Sequence, residues 1–171
     1  MINRRENPRF QSWEYVKDRK INVYVMIGLP GAGKDTWIAN NLPDTQKVVC
    51  RDDIRAELGL CNLGEKIVGN KEQENLVSTL FDSKLKEYAR AGEDIVINSI
   101  NLVKEYRMSY KRVLRDFDVN WIYVVVEAPD LDTNKKRREG QIPPEVFDKM
   151  VKYYEPPTPD EYDEIIYAKQ N

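Results

Sequence analysis

Gly28-Leu29-Pro30-Gly31-Ala32-Gly33-Lys34-Asp35-Thr36 follows the apolar run Ile21-Asn22-Val23-Tyr24-Val25-Met26-Ile27 and precedes Trp37-Ile38-Ala39. That order reads as strand, glycine-rich loop, helix start. Gly28, four residues, Gly33 and Lys34 match the phosphate-binding pattern G-x-x-x-x-G-K. Glycines let backbone N–H groups turn inward around phosphate oxygens. The helix N-terminus adds its positive dipole end, and a lysine at this place reaches the outer phosphates. Gly28, Pro30, Gly31, Ala32, Gly33, Lys34, Asp35 and Thr36 are therefore the candidate nucleotide-binding residues, and Lys34 is also a candidate catalytic residue.

One position departs from the pattern. A hydroxyl residue normally follows the lysine and binds Mg²⁺, whereas here Asp35 takes that slot and Thr36 comes one residue late. A carboxylate is also a hard oxygen ligand. Beside phosphates it makes sense with a metal between them, so Asp35 is the candidate metal ligand.

Working outward, the 171 residues suffice for one domain with a full core. Charged residues make up 33% and hydrophobic ones 41%, and the net charge is −2, with a pI of about 5.4. A protein that only coats nucleic acid would be basic, so any nucleic-acid contact must be local. No apolar run approaches the ~20 residues of a membrane span, and Met1-Ile2-Asn3-Arg4-Arg5 lacks the apolar core of a signal peptide. Cys50 and Cys61, without a secretory signal, fit reduced thiols and a cytoplasmic location. With no histidine in the chain, histidine-based general-base or zinc chemistry is excluded.

The pattern predicts alternating elements. Strands are expected at 21–27, 47–50, 95–97, 121–126 and 164–168. Helices are expected at 36–42, 53–58, 70–90, 104–116, 130–138 and 145–154. Asp53 is the expected cap of the second helix. Leu76, Val77, Leu80, Phe81, Leu85 and Tyr88 recur at helical spacing as one buried face, and Tyr106, Tyr110, Val113 and Leu114 are expected inward on the next helix. Residues 59–69 read as a loop that flanks the substrate. Residues 1–20, basic with Phe10, Trp13 and Tyr15 interspersed, read as an extension of a domain spanning 21–171. That extension either packs on the edge or touches nucleic acid. Strands alternating with helices imply an α/β fold, a parallel sheet of about five strands with helices on both faces and the ligand at the strands' carboxyl ends.

Three further groups of residues carry candidate chemistry. Arg51-Asp52-Asp53-Ile54-Arg55 closes the second strand. There Asp52 is placed to accept a proton from an attacking hydroxyl, and Arg55, one turn on, to bind an acceptor phosphate with its planar fork. Asn98-Ser99-Ile100-Asn101 closes the third strand, where Ser99 and Asn101 either line the acceptor site or close a turn with local bonds. Lys135-Lys136-Arg137-Arg138 places four cations in a row, which repel one another unless an anion draws them in. An arginine on such a segment stabilises charge on a transferred phosphoryl group.

Taken together, these segments resemble the 5′-polynucleotide kinases of bacteriophages and bacteria, with the P-loop kinase fold. The matching stretches are Gly28–Thr36, Arg51–Arg55, Asn101-Leu102 and Asn134–Val146. Glu155-Pro156-Pro157-Thr158-Pro159-Asp160-Glu161 resembles the tail of related P-loop kinases. The resemblance implies ATP and Mg²⁺ as cofactors and a nucleic-acid 5′-hydroxyl end as substrate. It implies Lys34 on the β- and γ-phosphates and Asp52 as general base. Arg55 would lie on the acceptor's 3′-phosphate, and Arg137 or Arg138 would be the lid arginine. A small-molecule kinase acting on a nucleoside or nucleoside monophosphate shares the donor site and differs only in the acceptor pocket. A non-catalytic nucleotide-binding module is the third reading, prompted by Asp35.

Overall fold

The structure, a computed structural model, describes residues 19–60 and 71–169. The expected N-terminal arm up to residue 18, Cys61 and the expected loop beyond residue 60 lie outside the described residues. Five strands and six helices alternate among them. They are β1 (Ile21–Ile27), α1 (Lys34–Asn41), β2 (Lys47–Val49), α2 (Arg51–Glu57), α3 (Lys71–Arg90), β3 (Ile95–Ile97), α4 (Lys104–Val113), β4 (Val119–Glu127), α5 (Leu131–Arg137), α6 (Pro144–Tyr153) and β5 (Glu164–Lys169).

The strands pair in the order β2-β3-β1-β4-β5, and every pairing is parallel. β1 therefore lies in the middle, with β3 on one side and β4 on the other. Val25 pairs with Ile97 and with Tyr123. Connections from β1 and β3 depart in opposite directions along the sheet, which opens a crevice above the carboxyl end of β1.

Alternation along the strands divides the core into two layers. Ile21, Val23, Val25, Ile27, Ile95, Ile97, Tyr123 and Val125 face one side and pack with Ile54 of α2, Val77, Phe81 and Leu85 of α3, and Tyr110 of α4. Met26, Val96, Ile122, Val124 and Val126 face the other, covered by Trp37 and Ile38 of α1. β4 reads as a continuous apolar run because both of its faces are covered.

Two expectations of the helical faces are corrected. Leu76 is 47% exposed and Tyr106 is 63% exposed. On α4 Tyr110 is buried as expected, with Leu114 just beyond, and Arg107 takes the inward place expected of Tyr106. A fully buried Glu161 compensates the Arg107 charge, with Nε to Oε1 at 2.8 Å. Apolar periodicity alone could not anticipate an arginine on the inner face.

Candidate nucleotide and acceptor site

The loop after β1 is shaped by its neighbours. Gly28 N–H donates to Ile100 O at 3.0 Å, which ties the loop to the chain leaving β3. A Cβ on Gly28 would lie 2.5 Å from the Val126 carbonyl oxygen, so no side chain fits where β1 passes β4. Gly31 and Gly33 have φ of 76° and 104°, the left-handed region that glycine enters without steric cost. Lys34 Nζ donates to Gly28 O at 2.8 Å and to Leu29 O at 3.0 Å. Desolvation lowers its ammonium to about 8; Asp35 opposes that fall and Arg138 adds to it.

α1 starts at Lys34, two residues earlier than expected, so Asp35 stands in its first turn. Asn98 Nδ2 donates to Asp35 Oδ1 at 2.7 Å, and Asn98 N–H donates to Val49 O at 3.0 Å. The start of α1 and the ends of β3 and β2 are thereby joined. An exposed carboxylate held at the loop's end fits Mg²⁺, which takes one or two carboxylates and completes its shell with phosphate oxygens and water. Among the described residues there is no group of three or more acidic or thiol ligands, so the fit depends on that phosphate contribution.

α2 begins at Arg51 with Cys50 in extended conformation at its N-cap. The expected cap at Asp53 therefore lies three residues too late. β2 ends at Val49 and the chain turns straight into the helix, leaving Asp52 and Asp53 in the first turn, where the helix dipole favours acidic groups. Asp52 is 82% exposed and accepts from Arg55 Nη1 at 2.7 Å.

The rest of the Arg55 fork meets a residue that sequence reasoning missed. Nε and Nη2 donate to Glu74 Oε1 and Oε2, both at 2.9 Å, and Arg51 Nη2 reaches Glu74 at 3.2 Å and Ser78 at 3.0 Å. The Arg55 hydrogen bonds, then Arg51, hold the Glu74 carboxyl at about 2. Nothing in the local sequence links position 55 to position 74; only the packing of α2 on α3 does.

Of the two readings of Asn101, lining an acceptor or closing a turn with internal bonds, its geometry matches the second. Asn101 is 3% exposed, with φ of 49°. Its Nδ2 donates to Met26 O at 2.7 Å and its Oδ1 accepts from Tyr110 Oη at 2.6 Å. Arg107 Nη1 donates to its carbonyl at 3.0 Å. The amide is spent inside the frame beneath the loop, which leaves it no group to offer as the expected acceptor ligand. Ser99 lies half-buried in the same turn, its carbonyl 3.4 Å from Asn101 Nδ2.

The basic run separates into four environments. Lys135 pairs with Asp148 at 2.9 Å, Lys136 is exposed, and Arg138 donates to Gln141 at 3.1 Å. Of the four, Arg137 hydrogen-bonds to the loop, with Nη1 donating to Gly31 O at 2.9 Å, and Arg138 passes beside Gly31 through its Cγ. One residue not singled out for chemistry joins it: Asn134, 3% exposed, donates from Nδ2 to Pro30 O at 3.0 Å. A cavity of about 360 Å³ lies beside this junction, lined by Gly28 and Ala32 of the loop, Val126 of β4, Pro129 beyond that strand, and Tyr154 beyond α6. The described helices include none long and apolar enough to cross a membrane.

A parallel sheet of order 2-3-1-4-5, a G-x-x-x-x-G-K loop at the end of the central strand and a basic helix over that loop define a P-loop kinase-type fold. The chain belongs to the family described as AAA domain (AAA_33), whose model matches residues 23–157. No curated protein matches its sequence. Solved structures share the fold. A provisionally named kinase from Chloroflexus aurantiacus j-10-fl superposes with a TM-score of 0.66 at 14% identity, over 88% of this chain and 89% of that one. A chain of the Pnkp1/Rnl/Hen1 RNA repair complex gives 0.65 at 17% identity, over 79% of this chain and 44% of that one. A sugar kinase from Janibacter sp. HTCC2649 gives 0.56 at 22% identity, over 88% and 85%.

Proposed function

We propose that this protein transfers the γ-phosphoryl group of ATP to the 5′-hydroxyl of DNA or RNA. The observation that carries this reading is the Asp52–Arg55 pair at the start of α2, joined to the phosphate-binding loop through Val49, Asn98 and Asp35. A carboxylate beside a guanidinium, one turn from the end of β2, suits a hydroxyl nucleophile with an adjacent phosphate.

In this reading Lys34 leaves its carbonyl partners for the β- and γ-phosphates, and Arg137 swings from Gly31 O to the transferred group. Asp52 accepts the proton as the hydroxyl oxygen bonds to phosphorus and ADP departs. Asp35 would hold Mg²⁺, which offsets phosphate charge when bound. A chain of an RNA repair complex among the fold's neighbours supports a polynucleotide acceptor.

A second reading, a kinase of small alcohols or nucleotides, draws on one observation. Glu74 occupies most of the Arg55 fork and neutralises it, which leaves less positive charge for an acceptor phosphate. Label transfer from γ-labelled ATP decides between them, with 5′-hydroxyl oligonucleotides, nucleosides, nucleoside monophosphates and sugars assayed side by side. Labelling of oligonucleotides far above the others is the expected result. Labelling of nucleotides or sugars with none of oligonucleotides overturns the polynucleotide reading.

A further inference from the structure

We infer that Asn134 is a positioning residue of the donor site, which orients the loop's Pro30–Gly31 peptide and fastens α5 to it; this rests on the donor reading above. Asn134 is almost wholly buried, yet it lies on a helix otherwise rich in exposed charge. Its Nδ2 reaches Pro30 O across 104 positions of sequence. The same turn of α5 crowds the next residue: a Cβ on Gly31 would sit 3.1 Å from Asn134 O and 3.3 Å from Arg137 Cβ. The helix start is fixed as well, because Asp130 Oδ1 accepts from Thr133 N at 2.7 Å and from Thr133 Oγ1 at 2.9 Å.

Planarity gives this contact its consequence. No peptide bond among the described residues is cis, and in a trans peptide the C=O and N–H point in opposite directions. Holding Pro30 C=O against α5 therefore aims Gly31 N–H away from α5. Arg137 meets the next carbonyl, Gly31 O, and the N–H of that following peptide donates to Leu29 O at 3.1 Å. The loop thus receives the orientation of its Pro30–Gly31 peptide from the helix that carries the lid arginine, and this hold remains when Arg137 turns to the transferred group. Phosphate binding by backbone N–H groups depends on such orientation. Asn134 also lines the cavity beside the loop, so it stands where loop, lid helix and cavity meet.

Asn134→Asp keeps the shape and sets a carboxylate oxygen against Pro30 O, and Asn134→Ala removes the donor. The probe is a ribose-labelled fluorescent ATP analogue with Mg²⁺, read as Kd, alongside KM and kcat for ATP and the melting temperature without nucleotide. Loss of one buried hydrogen bond corresponds to about tenfold in affinity. Kd and KM for ATP are each expected to rise about tenfold in Asn134→Asp and less in Asn134→Ala, with the acceptor KM unchanged. A merely structural role lowers the active fraction and the melting temperature while leaving Kd and KM at wild-type values. That result, or loss of the fold in both variants, overturns the inference. Lys34→Ala separates the two levels of the argument: if it too leaves nucleotide Kd unchanged, the donor reading itself fails.

Discussion

Arg55 and Glu74 meet side by side through two parallel N–H···O bonds, each 2.9 Å long, across the interface of α2 and α3. Bidentate pairs of this kind combine charge with geometric specificity. Glu74→Gln keeps the shape and frees the guanidinium charge. The KM for 3′-phosphorylated acceptors is expected to fall severalfold in that variant, while Arg55→Ala raises it and erases the preference over bare nucleosides. Steady-state kinetics at low and high salt check this, since a phosphate contact weakens as ionic strength rises.

The same pair gives a pH signature of stability. Glu74 is held at about 2, below its ordinary 4.5. A carboxylate lowered in the folded state stabilises fully above its unfolded value, and that stability is lost as pH falls through the folded one. Urea midpoints should therefore drop between pH 4.5 and pH 2, and the drop should be shallower in Glu74→Gln. Equal slopes in the two proteins would refute this.

Lys34 gives the opposite limb. Its ammonium sits at about 8, lowered by desolvation. Phosphates favour the charged form, so nucleotide affinity is expected to decline as pH rises past about 8. Lys34→Arg, charged throughout, should flatten that decline, and Lys34→Ala should abolish transfer with the fold retained. Nucleotide Kd from pH 6.5 to 9.5 is the measurement.

For the carboxylates at the loop's edge, Asp52→Asn should lower turnover by roughly 10²–10⁴, the range of a general base, with ATP affinity little changed. Asp53→Asn is the neighbouring control and should be near wild type. Asp35→Asn should raise the Mg²⁺ concentration for half-maximal activity severalfold, and Asn98→Ala should follow it weakly because Asn98 orients that carboxylate. A Mg²⁺ titration identical to wild type would place the ion on other ligands.

Beneath the loop, Arg107 and Glu161 are both fully buried. Arg107 also donates to the carbonyls of Asn101 and Glu155, and Glu161 accepts from Thr158 N. Arg107→Ala leaves a charge without its partner and is expected to cost about 3–5 kcal/mol. Chemical denaturation checks it. A loss below 1 kcal/mol would mean that water replaces the guanidinium.

The element order, the parallel sheet and the loop's glycine-and-lysine pattern were determined by the sequence alone. Each rests on local information: the glycines and Lys34 at fixed spacing, the apolar run of β4, and the alternation of strand and helix. Asp35 and Asp52 were visible as candidates for the same reason. Tertiary packing decided what each polar group faces. Glu74 reached Arg55 because α2 and α3 pack together. Asn101 turned inward because Met26 O and Tyr110 needed a partner beneath the loop. Of four consecutive cations, Arg137 hydrogen-bonds to the loop because α5 docks through Asn134. Periodicity records which face of an element is apolar, but a buried hydrogen bond between residues tens of positions apart leaves no spacing in the chain. Only the folded geometry decides where those donors and acceptors meet.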